Sequence, residues 1–133
     1  MGGVDLDNCI LEHVIQQFKQ NEDIDISDNP KAKRRLKTQV EKQKCVLSTA
    51  LESEVCVDAL AEGVDCSVIV TKKTFERLAE DSFFAKIAPV NDAAMIARNL
   101  KKEDIDDVVL IGGTTRVPRV KEILQEYFPN HKI

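Results

Sequence analysis

The sequence predicts a fold of the α/β class, α+β within the chain itself. Three observations predict it. Apolar residues recur at helical spacing in two stretches before residue 48. Two alternating runs flank Glu62-Gly63, as in a hairpin. A continuous apolar run, Val108-Val109-Leu110-Ile111, ends at Gly112-Gly113, as in a strand covered on both faces.

The first helix carries Leu6, Cys9, Ile10, Val14 and Phe18 on one stripe, with Asp5 or Asp7 as its cap. Polar Asn21-Glu22-Asp23 ends it. Asn29-Pro30 starts a second helix over about 31–47, because proline at the first helical position sacrifices no hydrogen bond. Its inner stripe is Ala32, Leu36, Val40, Gln43 and Leu47. Ser53 to Leu60 alternates with Val55 and Val57 on one face, and Asp65 to Val70 with Cys66, Val68 and Val70. Thr71 caps a short helix bearing Phe75 and Leu78. A helix around Pro89 turns Ile87, Val90, Ala94 and Ala97 inward. After the apolar run, Pro118 opens a last helix with Val120, Ile123, Leu124 and Tyr127 inward.

A doubly covered strand needs parallel neighbours, and those need crossover connections. The sequence offers no second strand of this kind. The expectation is that the chain is part of a larger domain, and Met1 joined directly to Gly2-Gly3 fits it.

Bulk properties narrow the function. The 133 residues carry 43% hydrophobic and 32% charged side chains, ordinary for a globular protein. Aromatics are 5% with no Trp, and the formal net charge is −4, so a base-stacking or DNA-binding surface is not indicated and no nucleic-acid partner is expected. No apolar run approaches the roughly 20 residues of a membrane span, and no membrane partner is expected. The start lacks the basic and apolar regions of a signal peptide. Cys9, Cys45, Cys56 and Cys66 lack C-x-x-C spacing, so no metal site is expected and four reduced thiols in a cytoplasmic compartment are. His13 and His131 are isolated in sequence.

Two constellations could carry chemistry. Gly112-Gly113-Thr114-Thr115-Arg116 ends a strand and leads into a helix, where backbone can approach a ligand closely. Its hydroxyls can hydrogen-bond and its guanidinium can stack on a base; a plain strand-to-helix turn explains the same residues. On the second helix Glu41, Lys44, Cys45 and Ser48 share one face away from the Leu36 stripe. A carboxylate, an ammonium and a hydroxyl in a row suit a ribose diol, and equally a solvated face with an ion pair. The basic run Lys31 to Lys37 points around its helix and reads as solvated.

Five segments resemble the seventy-kilodalton heat-shock chaperone family. Gly2-Gly3-Val4-Asp5-Leu6-Asp7-Asn8 is similar to its G-G-x-D-F-D-N/S segment, with Val4 and Leu6 in place of a common Glu and Phe. The stretch from Arg34-Arg35-Leu36 through Glu41, Lys44, Leu47 and Ser48 resembles its R-R-L-…-E-x-x-K-x-x-L-S helix. Leu60 to Asp65 looks like its L-x-E-G-x-D turn, and Thr71 to Leu78 its T-R-x-x-F/L-E-x-L helix. Ile105 to Pro118 resembles its I-D-D-V-x-L-V-G-G-S-T-R-I-P signature, with Thr114 at the Ser position.

The resemblance implies an actin-like ATPase domain, with residues 2–81 as the small outer subdomain of its second lobe, two helices on a small antiparallel sheet. Residues 82–133 would be the C-terminal part of the inner subdomain. It implies that Glu41, Lys44 and Ser48 contact ribose and adenine of ATP or ADP, and that Gly112, Gly113, Thr114, Thr115 and Arg116 lie across the purine, with Gly3 near the ribose edge. Cys45 stands where eukaryotic members place an Arg that stacks on adenine. Phosphate loops, magnesium-site aspartates and the phosphate-contacting lysine would lie outside this sequence, so the chain alone is expected to be no enzyme while its parent is an ATPase. Implied partners of the parent are nucleotide-exchange factors, J-domain co-chaperones and unfolded clients. A divergent relative serving as a protein-interaction module is the alternative.

Overall fold

The computed structural model describes residues 2–133. Helix α1 spans Gly3–Glu22 and helix α2 Pro30–Val46; strands β1, Glu52–Ala61, and β2, Val64–Thr71, follow. Helices α3, Lys72–Ala79, α4, Ile87–Arg98, and α5, Pro118–Tyr127, complete the chain. A 3-10 turn over Phe84–Lys86 precedes α4, and another over Gly113–Arg116 precedes α5.

Helix α1 starts earlier than expected. Gly2 is its N-cap, and its backbone N–H donates to Asp5 Oδ2 at 2.7 Å, so neither Asp5 nor Asp7 is the cap. The residues stacked below it, Leu6, Ile10, Val14 and Phe18, are buried. Asp23, in the left-handed region, closes the helix with its N–H on Lys19 O. At α2 the Asn29 side chain accepts from Ala32 N at 3.0 Å beside Pro30, and Ala32, Leu36, Val40 and Leu47 are buried.

The two strands form a single antiparallel sheet. Glu62 and Gly63 both have positive φ, 53° and 74°, which makes a two-residue turn whose twist matches the strands. A bulge follows, not anticipated from the sequence: Asp58, Ala59 and Leu60 lie opposite Asp65 alone. Asp65 Oδ1 accepts from Ala59 N at 2.6 Å, and the Arg35 guanidinium donates to Asp58 O and Ala59 O at 2.7 and 2.9 Å. Arg35 of the basic run therefore clamps the hairpin. The inner face of the sheet, Val55, Val57, Cys66, Val68 and Val70, packs beneath α1 and α2. Cys56 pairs with Ser67 on the outer face while Cys66 points inward, so the pleat separates the two thiols; all four cysteines are free. Burial pushes the Cys66 thiol up to about 11. In the native protein a thiol reagent is expected to label exposed Cys45 and Cys56 and to spare Cys66 until the chain unfolds, an order that mass-spectrometric mapping of labelled peptides reads directly.

Thr71 Oγ1 accepts from Thr74 N at 3.1 Å to cap α3. Phe75 on α3 meets Phe84 edge-on at 6.2 Å between ring centroids, and Phe84 meets Phe83 at 5.6 Å. This cluster joins the first part of the chain to the second, and Val117 and Val120 belong to the same core.

Two expectations fail beyond it. The Val108–Ile111 run is not a strand: Val109 is 74% and Ile111 85% exposed. Extended backbone becomes sheet only when a neighbour takes its N–H and C=O groups, and no described residue pairs with it. The face of α4 expected inward is bare for the same reason. Ile87 is buried, but Val90 is 53% exposed and Ala94 and Ala97 are exposed, because α4 packs mainly on α5 and the turn before it. Pro89 does sit in the first turn of α4. His131 Nε2 lies 2.6 Å from Ile105 O and ties the C-terminal segment to the residues just ahead of the apolar run.

Candidate functional site

The N-terminal turn of α1, the C-terminal half of α2 and the turn before α5 converge on one cleft of about 610 Å³. That volume lies within the roughly 300–1,000 Å³ usual for small-molecule sites. Glu41, Lys44 and Cys45 of α2 and Ser48, in the turn just after it, line one wall. Gly113, Thr114 and Arg116 line the opposite wall, and Gly3 with Val4 lines the end.

Gly112 and Thr115 are not on the wall; they shape the turn behind it. Gly112 has φ 105°, a backbone state that disfavours any side chain, and Thr115 Oγ1 donates to Gly112 O at 2.7 Å. Within 112–116 the cleft itself is lined by Gly113, Thr114 and Arg116. The turn puts Gly113 and Thr114 forward because the chain reverses at Gly112.

Gly3 is where the two walls meet. A Cβ built on it would lie 3.3 Å from both Lys44 Nζ and Thr114 Oγ1, a tight fit that would push on the ammonium and the hydroxyl there. Lys44 Nζ lies 2.6 Å from Asp7 Oδ1 and donates to Gly3 O at 3.3 Å. Both charged side chains are largely buried, Asp7 at 7% and Lys44 at 13% exposure. Asp7 also lines the cleft, together with Thr49 and Val117. Sequence reading missed Asp7 as a site residue. Its signal was present: Asp7, Ile10, Val14 and Phe18 run down one helix face, and a carboxylate on an apolar stripe needs a buried partner.

Chemically the cleft offers acceptors at Glu41, donors at Lys44 and Arg116, and hydroxyls at Ser48 and Thr114. Cys45 is exposed on the wall. The basic groups Lys33, Arg34 and Lys37 line a separate groove with Asn8, Leu11, Glu12 and Ile15, between α1 and α2.

Two helices on a small antiparallel sheet, beside a diglycine turn that leads into a helix, are an α+β unit of the actin-like ATPase architecture. The family model described as Hsp70 protein matches residues 1–132. The chain is 36% identical to a heat shock 70 kDa protein of Neurospora crassa over its whole length, covering 21% of that protein. It is 38% identical to heat shock cognate 70 kDa protein 3 of Dictyostelium discoideum, with 96% of the chain and 20% of the relative covered. It is also 38% identical to the ribosome-associated molecular chaperone SSB of Candida glabrata, with the whole chain and 22% of the relative covered. The chain belongs to the Hsp70 family, and it spans about a fifth of the length of the curated relatives it matches. No helix among the described residues is long and apolar enough to cross a membrane.

Proposed function

We propose that this chain supplies the adenine and ribose half of an ATP-binding cleft in the ATPase domain of an Hsp70 chaperone. One observation supports the reading above all: Glu41, Lys44 and Cys45 of α2, with Ser48 just beyond its end, face Gly113, Thr114 and Arg116 across a single cleft that Gly3 closes. These groups lie far apart in sequence and have one use in common, gripping a small polar ligand from two sides. The donor set fits a nucleoside. Glu41 accepts from a ribose hydroxyl, Lys44 and Ser48 hydrogen-bond the sugar and ring edge, and Arg116 lies against the purine face.

Residues 2–81 form the outer subdomain and 82–133 part of the inner one. Phosphoryl transfer needs metal and positioned charge. Magnesium and the phosphates are held by other segments of the parent, so this part binds and orients while the parent turns over. Rotation of the outer subdomain about its hinge lets nucleotide in and out, and exchange factors act on it there. J-domain co-chaperones stimulate the parent, unfolded clients bind a separate domain, and the setting is cytoplasmic.

Cys45 gives the test. Cys45→Arg in the full-length protein is expected to tighten ADP binding by about 0.5–2 kcal/mol, because a guanidinium at this point of the wall stacks on the purine. Calorimetric titration reads it. An unchanged or weaker affinity would sink the placement of the purine against α2. Failure of the unsubstituted parent to bind ADP at all would favour a protein-interaction module instead.

A further inference from the structure

We propose that Asp7 is the positioning residue of the cleft: it fixes the Lys44 ammonium on the wall and cancels its charge, so that this end takes an uncharged nucleoside rather than a phosphate. The inference rests on the reading of the cleft as the adenosine half of a nucleotide site.

Lysine places a compact charge on a flexible four-carbon stem. Here the stem is not free. The ammonium lies 2.6 Å from Asp7 Oδ1, with Gly3 O at 3.3 Å. An ammonium has three protons. One is donated to Gly3 O, while the Asp7 carboxylate balances the charge as an ion pair, so donor capacity remains for an occupant of the cleft. Gly3 contributes the space as well, since a Cβ there would press on the ammonium.

Charge selects the occupant. The charged side chains of the wall are Asp7, Glu41, Lys44 and Arg116, two acids and two bases that sum to zero. A phosphate seeking Lys44 would compete with Asp7 for the same protons and sit beside two carboxylates. A ribose hydroxyl or a purine ring nitrogen accepts a remaining proton with no such conflict. Packing gives no reason for Asp7. Leu6, Ile10, Leu11 and Val14 around it are buried apolar residues, and a carboxylate in such a place is costly unless paired.

The experiment uses the full-length protein with Asp7→Asn, Lys44→Met and the double variant, measuring adenosine and ADP binding by calorimetry and KM against kcat for ATP. Asp7→Asn is expected to raise the adenosine Kd and the ATP KM about tenfold, with kcat within about twofold. The double variant is expected to bind no more weakly than Lys44→Met alone, because Asp7 then has nothing to position. A lowered melting temperature with unchanged Kd and KM for Asp7→Asn overturns the proposal, as do two losses that multiply in the double variant. If Lys44→Met leaves adenosine binding unchanged, it is the nucleotide reading itself that fails. Should Asp7→Asn not fold, Asp7→Glu keeps the charge and shifts its reach; a rise in Kd of a few fold supports the role, and an unchanged Kd overturns it.

Discussion

Lys44→Ala is expected to lower stability by about 3–5 kcal/mol, a large part of what a domain of this size has. The reason is what remains behind. Asp7 sits at 7% exposure among Leu6, Ile10 and Leu11, and its charge is balanced by the ammonium at 2.6 Å. With the ammonium gone, the carboxylate is buried without a counter-ion. An exposed ion pair, by contrast, contributes about 0–1 kcal/mol, so the size of the loss reports burial. Urea denaturation of the protein measures it as a fall in midpoint at constant slope. Replacing both partners by apolar residues, Asp7→Leu with Lys44→Met, is expected to recover most of the loss. A loss below about 1 kcal/mol for Lys44→Ala would mean that water reaches the pair. The same substitution is expected to weaken nucleotide binding by about 1–3 kcal/mol through the lost charged hydrogen bond.

The second large effect falls on the aromatic joint. Phe75→Ala is expected to cost about 3–5 kcal/mol, the range for emptying a buried aromatic position. Phe75 is 2% exposed and its edge contact with Phe84 links α3 to the turn before α4. The damage should therefore spread to both parts of the chain. Hydrogen exchange is expected to show lost protection in β2 and in α5 together. Leu51→Ala is the control: at 82% exposure it should change stability by no more than about 0.5 kcal/mol. Equal losses at Phe75 and Leu51 would refute the assignment of the core.

Much of this architecture was readable in the sequence because it depends on near neighbours. Asn29-Pro30, Thr71 and Glu62-Gly63 specify their caps and turn through contacts within a few residues. The stripes of α1 and α2 follow helical period because both helices rest on the same sheet. Where reading failed, the deciding partner was distant in sequence or absent among the described residues. Val90, Ala94 and Ala97 have inward spacing but stay exposed. Val108–Ile111 has strand composition but no ladder. The bulge at Asp58–Leu60 depends on Arg35, whose charge gave no hint of its carbonyl partners. In the candidate site, helical spacing alone placed Glu41, Lys44, Cys45 and Ser48 on one wall. The family signature brought in the turn opposite. Asp7 escaped because a carboxylate near a helix start is usually a cap, and that habit outweighed its place on the Ile10–Phe18 stripe.

The bare stretch before Gly112 also governs how this chain behaves among copies of itself. Its free amide and carbonyl groups and the Val109 and Ile111 side chains form an adhesive rim, of the kind that zips onto another extended segment. Electrostatic repulsion is a weak guard. The formal charge of −4 is screened beyond about 8 Å at physiological salt, whereas backbone pairing acts at about 4.8 Å. Self-association at high concentration is expected to run through this rim, and anything that sheathes it is expected to act as a solubiliser.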